Sequence, residues 1–299
     1  MIETDIQGFR DPFMLVEDDA YYVYGTYVTE KGNWNTTRWG CYKSEGGLSD
    51  NSWKLLDKPL YIKPEHAMKN FWAPEVHKYN GSYYMFATYY SFLTNHRGCS
   101  ILKSESPEGP FVEITNGHIT PRNWDSIDAT FYVDEDGQPW MVFVHEHTCT
   151  DDHIGRMAAA KLSEDLTHFI SEPLELFRAD DPSWTSKRVT DGCFMHKAKD
   201  GQLLMIWSNF YEHGYCVGVA RSDNGKVDGK WSHDEKLLFS KEISGKYDGG
   251  HGMIFKDRDG KMYLCLHSPN EPTDETEERT VFVPLVEENG NLICKKDAE

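Results

Sequence analysis

The sequence predicts an all-β fold, a five-bladed β-propeller with four antiparallel strands in each blade. Three observations support this fold: a hairpin pattern recurs five times, the recurrences are nearly evenly spaced, and a second turn follows each hairpin at a nearly constant distance. Helical periodicity is nearly absent from the chain. Stacking such units radially protects the sheet edges that each unit would otherwise expose.

Each predicted hairpin is an apolar run that ends in a short turn and resumes as an aromatic run. The five hairpins cover residues 12–27, 73–90, 129–146, 191–210 and 251–268. Their turns centre near Asp19, Gly81, Gly137, Gly201 and Gly260, in steps of 62, 56, 64 and 59 residues. Asn-Gly and Asp-Gly pairs in such turns supply the positive φ that two-residue hairpin loops need.

The second turn of each unit extends the hairpin to four strands. These turns lie 28, 27, 28, 24 and 30 residues further on, at Gly47, Glu108, Asp165, Gly225 and Gly290. A β-sandwich would not explain the repeat, and the steps exceed the roughly 40–50 residues of the WD and kelch repeats of protein-interaction propellers. We expect a single propeller domain over residues 1–299, with a strand from residues 1–10 completing the last blade beside 280–294.

The charge of the chain restricts its partners. It has 31 basic and 49 acidic residues, for a net charge of −18. Binding to nucleic acid or to an anionic membrane is therefore not expected, and a neutral partner fits better. Aromatic residues make up 13 % of the chain, which suits either ligand stacking or the cores of propeller blades.

The seven cysteines are an odd number and lack CxxC spacing, so we expect free thiols in a reducing compartment. The start of the chain, MIETDIQGFRDPF, lacks a basic segment followed by an apolar one, and no apolar run reaches 18 residues. These features predict a soluble cytoplasmic protein. The oligomeric state stays open.

The start of each innermost strand is a privileged position, because these ends converge on one mouth of the central channel. Three of the five starts carry an aspartate, namely Asp11, Asp128 and Asp191. Asp is also common at strand ends and in turns, so each residue taken alone has a plain structural explanation. Their shared position favours a site built from three carboxylates, in which Arg10 is expected to pair with Asp11.

Five segments in order resemble glycoside hydrolase family 43 over essentially the whole chain: GFRDPF, FWAPEVHKYNGSYYMF, SIDATFYVDEDGQPWMVF, VTDGCFMHKAKDGQLLMIWS and GGHGMIF. The resemblance implies inverting hydrolysis of arabinofuranosides, arabinans or xylosides from plant cell walls. It implies that Asp11 is the general base and that Asp128 orients the acid and modulates its pKa. Asp191 matches the position of the proton donor.

The proton donor departs from the family pattern. The family usually has a Glu-Gly-Pro turn where this chain has Thr190-Asp191-Gly192-Cys193. The shorter side chain places the carboxyl roughly 1–1.5 Å farther back, and a misplacement of about 1 Å costs ~100-fold in rate. Either the backbone compensates, or Glu212 or Glu146 serves as the acid, or the protein is a catalytically silent carbohydrate-binding propeller.

Further residues are expected around the substrate. His251 matches the family's central histidine, near which a calcium ion is often held through water, although calcium prefers oxygen ligands and a structural role also fits. Trp72 and Phe131 are expected to wall a sugar subsite, with Trp72 the better stacking candidate. Trp207 is expected to pack between blades.

Arg279 resembles the family's substrate-contacting arginine, although a surface position beside Glu277 and Glu278 also explains it. Segment 270–279 is expected to be a solvated loop. Members that act as β-xylosidases often carry an added carboxy-terminal sandwich domain, whereas this chain ends soon after its fifth blade. The sequence therefore favours α-L-arabinofuranosidase slightly over β-xylosidase and gives no indication of exo or endo attack.

Overall fold

The computed structural model describes residues 1–28, 33–273 and 276–295 and confirms the five-bladed propeller. Five antiparallel sheets are arranged in a ring in which the innermost strand of each sheet contacts that of the next, and the fifth contacts the first. No helix in these ranges has the length and apolar character needed to cross a bilayer.

The strands and the short helix follow the chain in a simple order. They are β1 (Ile2–Gln7), β2 (Phe9–Val16), β3 (Tyr21–Tyr27), β4 (Trp39–Ser44), β5 (Lys54–Leu55), β6 (Ala67–Tyr79), β7 (Ser82–Ser91), β8 (His96–Ser104), β9 (Val112–Glu113), β10 (Ser126–Val133), β11 (Pro139–His145), β12 (Arg156–Lys161), β13 (Leu174–Arg178), β14 (Asp191–Lys197), β15 (Leu203–Tyr211), β16 (Gly214–Ser222), β17 (Trp231–His233), α1 (Lys241–Ser244), β18 (Gly250–Lys256), β19 (Met262–Ser268), β20 (Arg279–Glu288) and β21 (Asn291–Cys294).

Four blades are consecutive along the chain, running from β2 to β5, β6 to β9, β10 to β13 and β14 to β17. The fifth blade has the order β18-β19-β20-β1, and β21 pairs with the far half of β20. Strand β1 is antiparallel to β20, with Ile2 opposite Phe282 and Gln7 opposite Arg279. The first residues of the chain therefore close the ring, as predicted, and all ten predicted turns fall between strands.

The core consists mainly of apolar side chains between neighbouring blades. Trp207 is fully buried and packs against Phe177 of the third blade and against Trp184, at ring distances of 5.1 and 5.3 Å, which confirms its predicted place between blades. All seven cysteines are free thiols, as expected.

Each innermost strand has a register irregularity at which a residue has a left-handed backbone. In four strands this residue is among the first three, whereas in β6 it is Ala73, the seventh residue of a longer strand that has further irregularities before it. These five residues, with their φ angles, are Asp11 (53°), Ala73 (40°), Asp128 (56°), Gly192 (45°) and His251 (49°). A bulge re-aims the side chain that it carries. Asp191 precedes its bulge residue by one position, so it does not share the register of Asp11 and Asp128 that the sequence alignment assumed.

The bulge N–H groups link each blade to the one before it. In four blades this group donates to a side chain on the preceding blade's second strand: Asp11 to His267 Nδ1 (3.2 Å), Ala73 to Thr26 Oγ1 (2.8 Å), Asp128 to Thr88 Oγ1 (3.0 Å) and His251 to Ser208 Oγ (2.8 Å). The third blade has Val144 at the equivalent position, opposite Ile127. The Gly192 N–H donates instead to Asp128 Oδ2 at 3.0 Å, which fixes the orientation of that carboxylate.

Candidate active site

His251 brings two of the predicted carboxylates together. Its Nδ1 lies 3.2 Å from Asp11 Oδ1 and 3.7 Å from Asp128 Oδ2. The second oxygen of Asp11 accepts a hydrogen bond from the Thr26 hydroxyl at 2.6 Å. Because the three residues come from the bulges of blades one, three and five, their meeting depends on the closed ring.

The third carboxylate, Asp191, lies beside this group. Its Oδ2 accepts a hydrogen bond from the Tyr215 hydroxyl at 3.0 Å. The next residue, Gly192, has a φ of 45°, and a Cβ at that position would lie 2.6 Å from Cγ of His251. Glycine is therefore required where the backbone passes the imidazole, and this close approach places Asp191 at the same mouth as Asp11 and Asp128.

Asp11 is held ionised. Burial by itself raises the pKa of Asp11, but the neighbouring His251, His267 and Arg10 together lower it well below its ordinary value. Burial also opposes the charged form of His251, yet the surrounding carboxylates, first Asp11 and then Asp128, raise its pKa to about 10. At neutral pH the pair is therefore a carboxylate beside an imidazolium.

Asp191 and Asp128 are shifted in the opposite direction from Asp11. Burial, reinforced by the charge of Asp128, raises the pKa of Asp191 to about 8 against the opposing effects of His251 and the Tyr215 hydrogen bond. Burial also raises the pKa of Asp128 to about 6, with His251 opposing and Asp11 reinforcing the shift. At neutral pH the site thus contains a proton acceptor in Asp11 and a proton donor in Asp191.

The sequence reasoning missed His267, which supports the base from behind. Burial and the nearby Arg10 lower the pKa of His267 to about 3, so its ring is neutral. Its Nδ1 accepts the N–H of Asp11, and its Nε2 lies 3.2 Å from Asn270 Oδ1. The neutral ring therefore carries its proton on Nε2 and donates it to Asn270.

The sequence suggested that Arg10 pairs with Asp11, but in the structure Arg10 pairs with Glu278. It also donates to the backbone oxygen of Asn270 at 2.9 Å and to that residue's Oδ1 at 2.7 Å. Asn270 and Glu278 are each only 7 % exposed, so the described ends of segment 270–279 are buried at the site. The expectation of a solvated loop is confirmed at Glu271, Thr273 and Glu277, which are exposed. It was wrong at Asn270 and Glu278, because these two residues are the partners of a buried guanidinium.

The remaining predicted substrate contacts are separated. Trp72 is partly exposed and donates from Nε1 to the backbone oxygen of Trp34 at 2.9 Å. Phe131 packs on Phe86 with ring centroids 5.2 Å apart, within the core between blades two and three. Arg279 lies 3.6 Å from Glu3 and borders a separate surface pocket on the fifth blade. Trp72 therefore stays a candidate for the wall of a sugar subsite. Phe131 and Arg279 instead contact other residues of the protein.

The two alternative acids differ in their surroundings. Glu146 is largely but not fully buried and is paired with Arg97, whose Nε donates to it at 2.8 Å. Glu212 has a side chain that is 85 % exposed and lies near His213. Neither environment matches that of Asp191, which lacks a cationic ion-pair partner of this kind among the described residues and is hydrogen-bonded to a neutral hydroxyl.

The residues around His251 do not form a calcium site on their own. Within residues 1–28, 33–273 and 276–295, no three His, Cys, Asp or Glu side chains are arranged to hold a metal ion. His251 Nδ1 faces Asp11 and Asp128, and an imidazolium does not bind a cation. The calcium ion stays a prediction, and no catalytic step is derived through it.

Comparisons with known proteins show which proteins the chain resembles as a whole. The chain is 23 % identical over 305 residues to the extracellular exo-α-(1→5)-L-arabinofuranosidase ArbA of Cellvibrio japonicus, a match covering 87 % of this chain and 78 % of that protein. It is 26 % identical over 149 residues to the extracellular endo-α-(1→5)-L-arabinanase 1 of Bacillus subtilis, covering 45 % of this chain and 42 % of that protein.

The crystal structure of an endo-arabinase from Bacteroides thetaiotaomicron superposes with a TM-score of 0.80 at 35 % identity, covering 97 % of this chain and 98 % of that one. The family model described as glycosyl hydrolases family 43 matches residues 6–290. The order of the motifs and the propeller fold have the same explanation: the chain belongs to glycosyl hydrolase family 43.

Proposed function

We propose that this protein is an inverting glycosidase that releases α-L-arabinofuranosyl residues from arabinan-type oligosaccharides. The observation that carries the proposal is the division of protonation between Asp11 and Asp191 in one buried site. The relatives named above act on arabinan or arabinofuranosides, which supports arabinose over xylose.

In the proposed reaction Asp191 donates its proton to the glycosidic oxygen as the bond to the anomeric carbon breaks. Asp11 removes a proton from a water molecule, whose oxygen forms the new bond to that carbon from the opposite face. Asp191 ends as a carboxylate and Asp11 as a carboxylic acid, and proton exchange with solvent restores both. Such inversion needs an acid and a base on opposite sides of the sugar.

Asp128 acts on the donor without touching the reacting bond. Its negative charge is the second contribution, after burial, to the raised pKa of Asp191. The Gly192 N–H and the bulge of its own strand hold its carboxylate in place. We infer that Asp128 keeps Asp191 protonated near neutral pH, the role that the sequence resemblance implied.

The test compares hydrolysis of p-nitrophenyl α-L-arabinofuranoside, p-nitrophenyl β-D-xyloside and linear arabino-oligosaccharides by the wild type, Asp11→Ala and Asp191→Ala. We expect the arabinosides to be preferred and both variants to lose ~10²–10⁴-fold on the oligosaccharides. Asp191→Ala should lose less on the aryl glycoside, because its leaving group needs less protonation. Asp5→Ala, at an exposed position, is the matched control.

Proton NMR of the first product tests the stereochemistry, since inversion releases the β-anomer from an α-linked substrate. Release of the α-anomer would contradict the mechanism. A wild type that binds arabino-oligosaccharides without hydrolysing any of them would favour the catalytically silent binding propeller. Preference for the xyloside would replace the substrate assignment and leave the roles of Asp11 and Asp191 unchanged.

The location of the protein stays a prediction. The sequence suggested the cytoplasm, whereas both curated relatives are named as extracellular enzymes and give that suggestion no support.

A further inference from the structure

Trp34 is an exposed aromatic residue beside the catalytic site that the proposed mechanism does not use. Trp34 is 55 % exposed. Its ring lies over the guanidinium of Arg10, whose carbon atom is 4.5 Å from the ring centroid. One face of the indole is therefore supported by a buried cation.

The backbone of Trp34 is fixed from the other side. Its carbonyl oxygen accepts a hydrogen bond from Trp72 Nε1 at 2.9 Å and another from Asn70 Nδ2 at 2.8 Å. Arg10 in turn is held by Asn270 and Glu278. The exposed ring is therefore fixed in place by contacts to blades one and two, and through Arg10 to blade five.

A cleft of about 620 Å³ lies along this surface, between the first and fifth blades. That volume falls within the ~300–1,000 Å³ typical of ligand pockets. Its described walls include Gln7, Gly8, Val28, Trp34, Pro272 and Glu277. The cleft is bordered by Arg10 and by Asn270, whose Oδ1 lies 3.2 Å from Nε2 of His267, the residue that supports the base. It therefore lies beside the catalytic site, although Asp11, Asp128 and Asp191 are not among its described walls.

The chemistry of the walls restricts the occupant. Glu271 and Glu277 are exposed at the border of the cleft, whereas Glu278 is ion-paired with Arg10, and the chain as a whole carries a net charge of −18. An anionic ligand would be repelled by these carboxylates. A neutral sugar presents C–H groups that pack on an indole face and hydroxyl groups that donate to carboxylates.

We propose that this cleft binds a neutral sugar residue adjoining the one that reacts at Asp11, and that the Trp34 ring is its stacking platform. The inference rests on the proposed function, because it takes the occupant to be part of the same oligosaccharide substrate. It assigns to the site at least one subsite beyond the reacting residue, so a longer substrate gains binding contacts that a single-sugar glycoside lacks.

The test is the ratio of kcat/KM on a linear α-1,5-linked arabino-oligosaccharide to kcat/KM on the p-nitrophenyl arabinofuranoside. Loss of one stacking contact of about 1.4 kcal/mol corresponds to a ten-fold change. We therefore expect the ratio to fall about ten-fold in Trp34→Ala, mainly through KM for the oligosaccharide. Trp34→Phe should retain most of the ratio. Leu174→Ala, an exposed apolar position on the third blade, is the control.

An unchanged ratio in Trp34→Ala would overturn the inference, and so would an equal loss on both substrates, which would mark Trp34 as a mere support for Arg10. If the wild type hydrolyses neither substrate, the proposed function fails and calorimetric binding of neutral arabino- and xylo-oligosaccharides decides the inference separately. Binding about ten-fold weaker in Trp34→Ala supports the subsite. Equal binding in both proteins, or no binding by the wild type, rejects it.

Discussion

At the scale of single residues, the pKa of each carboxylate is set by its neighbours. Asp11 lies against His251, and Asp191 lies against Tyr215 and another carboxylate. The same residue type therefore serves as base at one position and as acid at another. Burial strengthens both effects because it removes the water that would screen them.

The pH dependence of activity follows from the pKa of about 8 of Asp191. The donor must be protonated, so kcat/KM is expected to fall as the pH rises through about 8. Tyr215→Phe removes a hydrogen bond that stabilises the ionised form, so the alkaline limb should move to higher pH. Tyr211→Phe, whose hydroxyl donates to Glu242 on the surface, is the control and should leave the limb in place.

Asp128→Asn is expected to move the same limb in the opposite direction. It removes the negative charge that, after burial, contributes most to the raised pKa of Asp191. The remaining activity, measured as a complete pH profile of kcat/KM, should therefore decline at lower pH than in the wild type. A limb that stays at about pH 8 in both Tyr215→Phe and Asp128→Asn would show that Asp191 is not the titrating donor.

At the scale of elements, the bulge in each innermost strand positions the residues of the site. It turns one residue of each blade into a left-handed backbone, and the freed N–H is accepted by the preceding blade. Since a buried N–H without an acceptor is costly, these hydrogen bonds keep both the blade junction and the bulge in place.

Thr88→Val tests this device. Thr88 is fully buried and accepts the N–H of Asp128, and valine has nearly the same shape without the hydroxyl. We expect a loss of about 1–3 kcal/mol in the free energy of unfolding, measured by urea titration, from the unpaired buried N–H. Thr88→Ser keeps the acceptor and is the matched control. Equal stability of the Val and Ser variants would mean that the hydrogen bond contributes nothing.

At the scale of the whole molecule, ring closure holds the parts of the site together. Asp11, Asp128 and Asp191 come from blades one, three and four, and His251 comes from blade five. Strand β1 completes the fifth blade with alternating exposed and buried residues, and its Ile6 is fully buried in the core. The first strand of the chain is therefore part of the last blade.

Ile6→Ala should weaken this closure. Truncating a buried isoleucine leaves a cavity and costs about 2–5 kcal/mol of stability, which thermal unfolding followed by circular dichroism would detect as a lower Tm. Asp5→Ala, at the neighbouring exposed position of the same strand, should change Tm little. Similar shifts in both variants would indicate that β1 contributes through its backbone alone. Adding a reducing agent should leave both Tm values unchanged, since all seven cysteines are free.

The sequence by itself determined the blade number, the turns, the closing strand and the three aspartates, because β-turn chemistry and apolar patterning act over short stretches of chain. The tertiary structure decided what depends on contacts between distant segments. In the structure Asp191 lies one residue before its bulge, and Arg10 pairs with Glu278 instead of Asp11. Tyr215 and His267 also form hydrogen bonds at the carboxylate residues, Tyr215 to Asp191 and His267 to the N–H of Asp11. Those contacts join residues up to 268 positions apart, where spacing along the chain carries no signal.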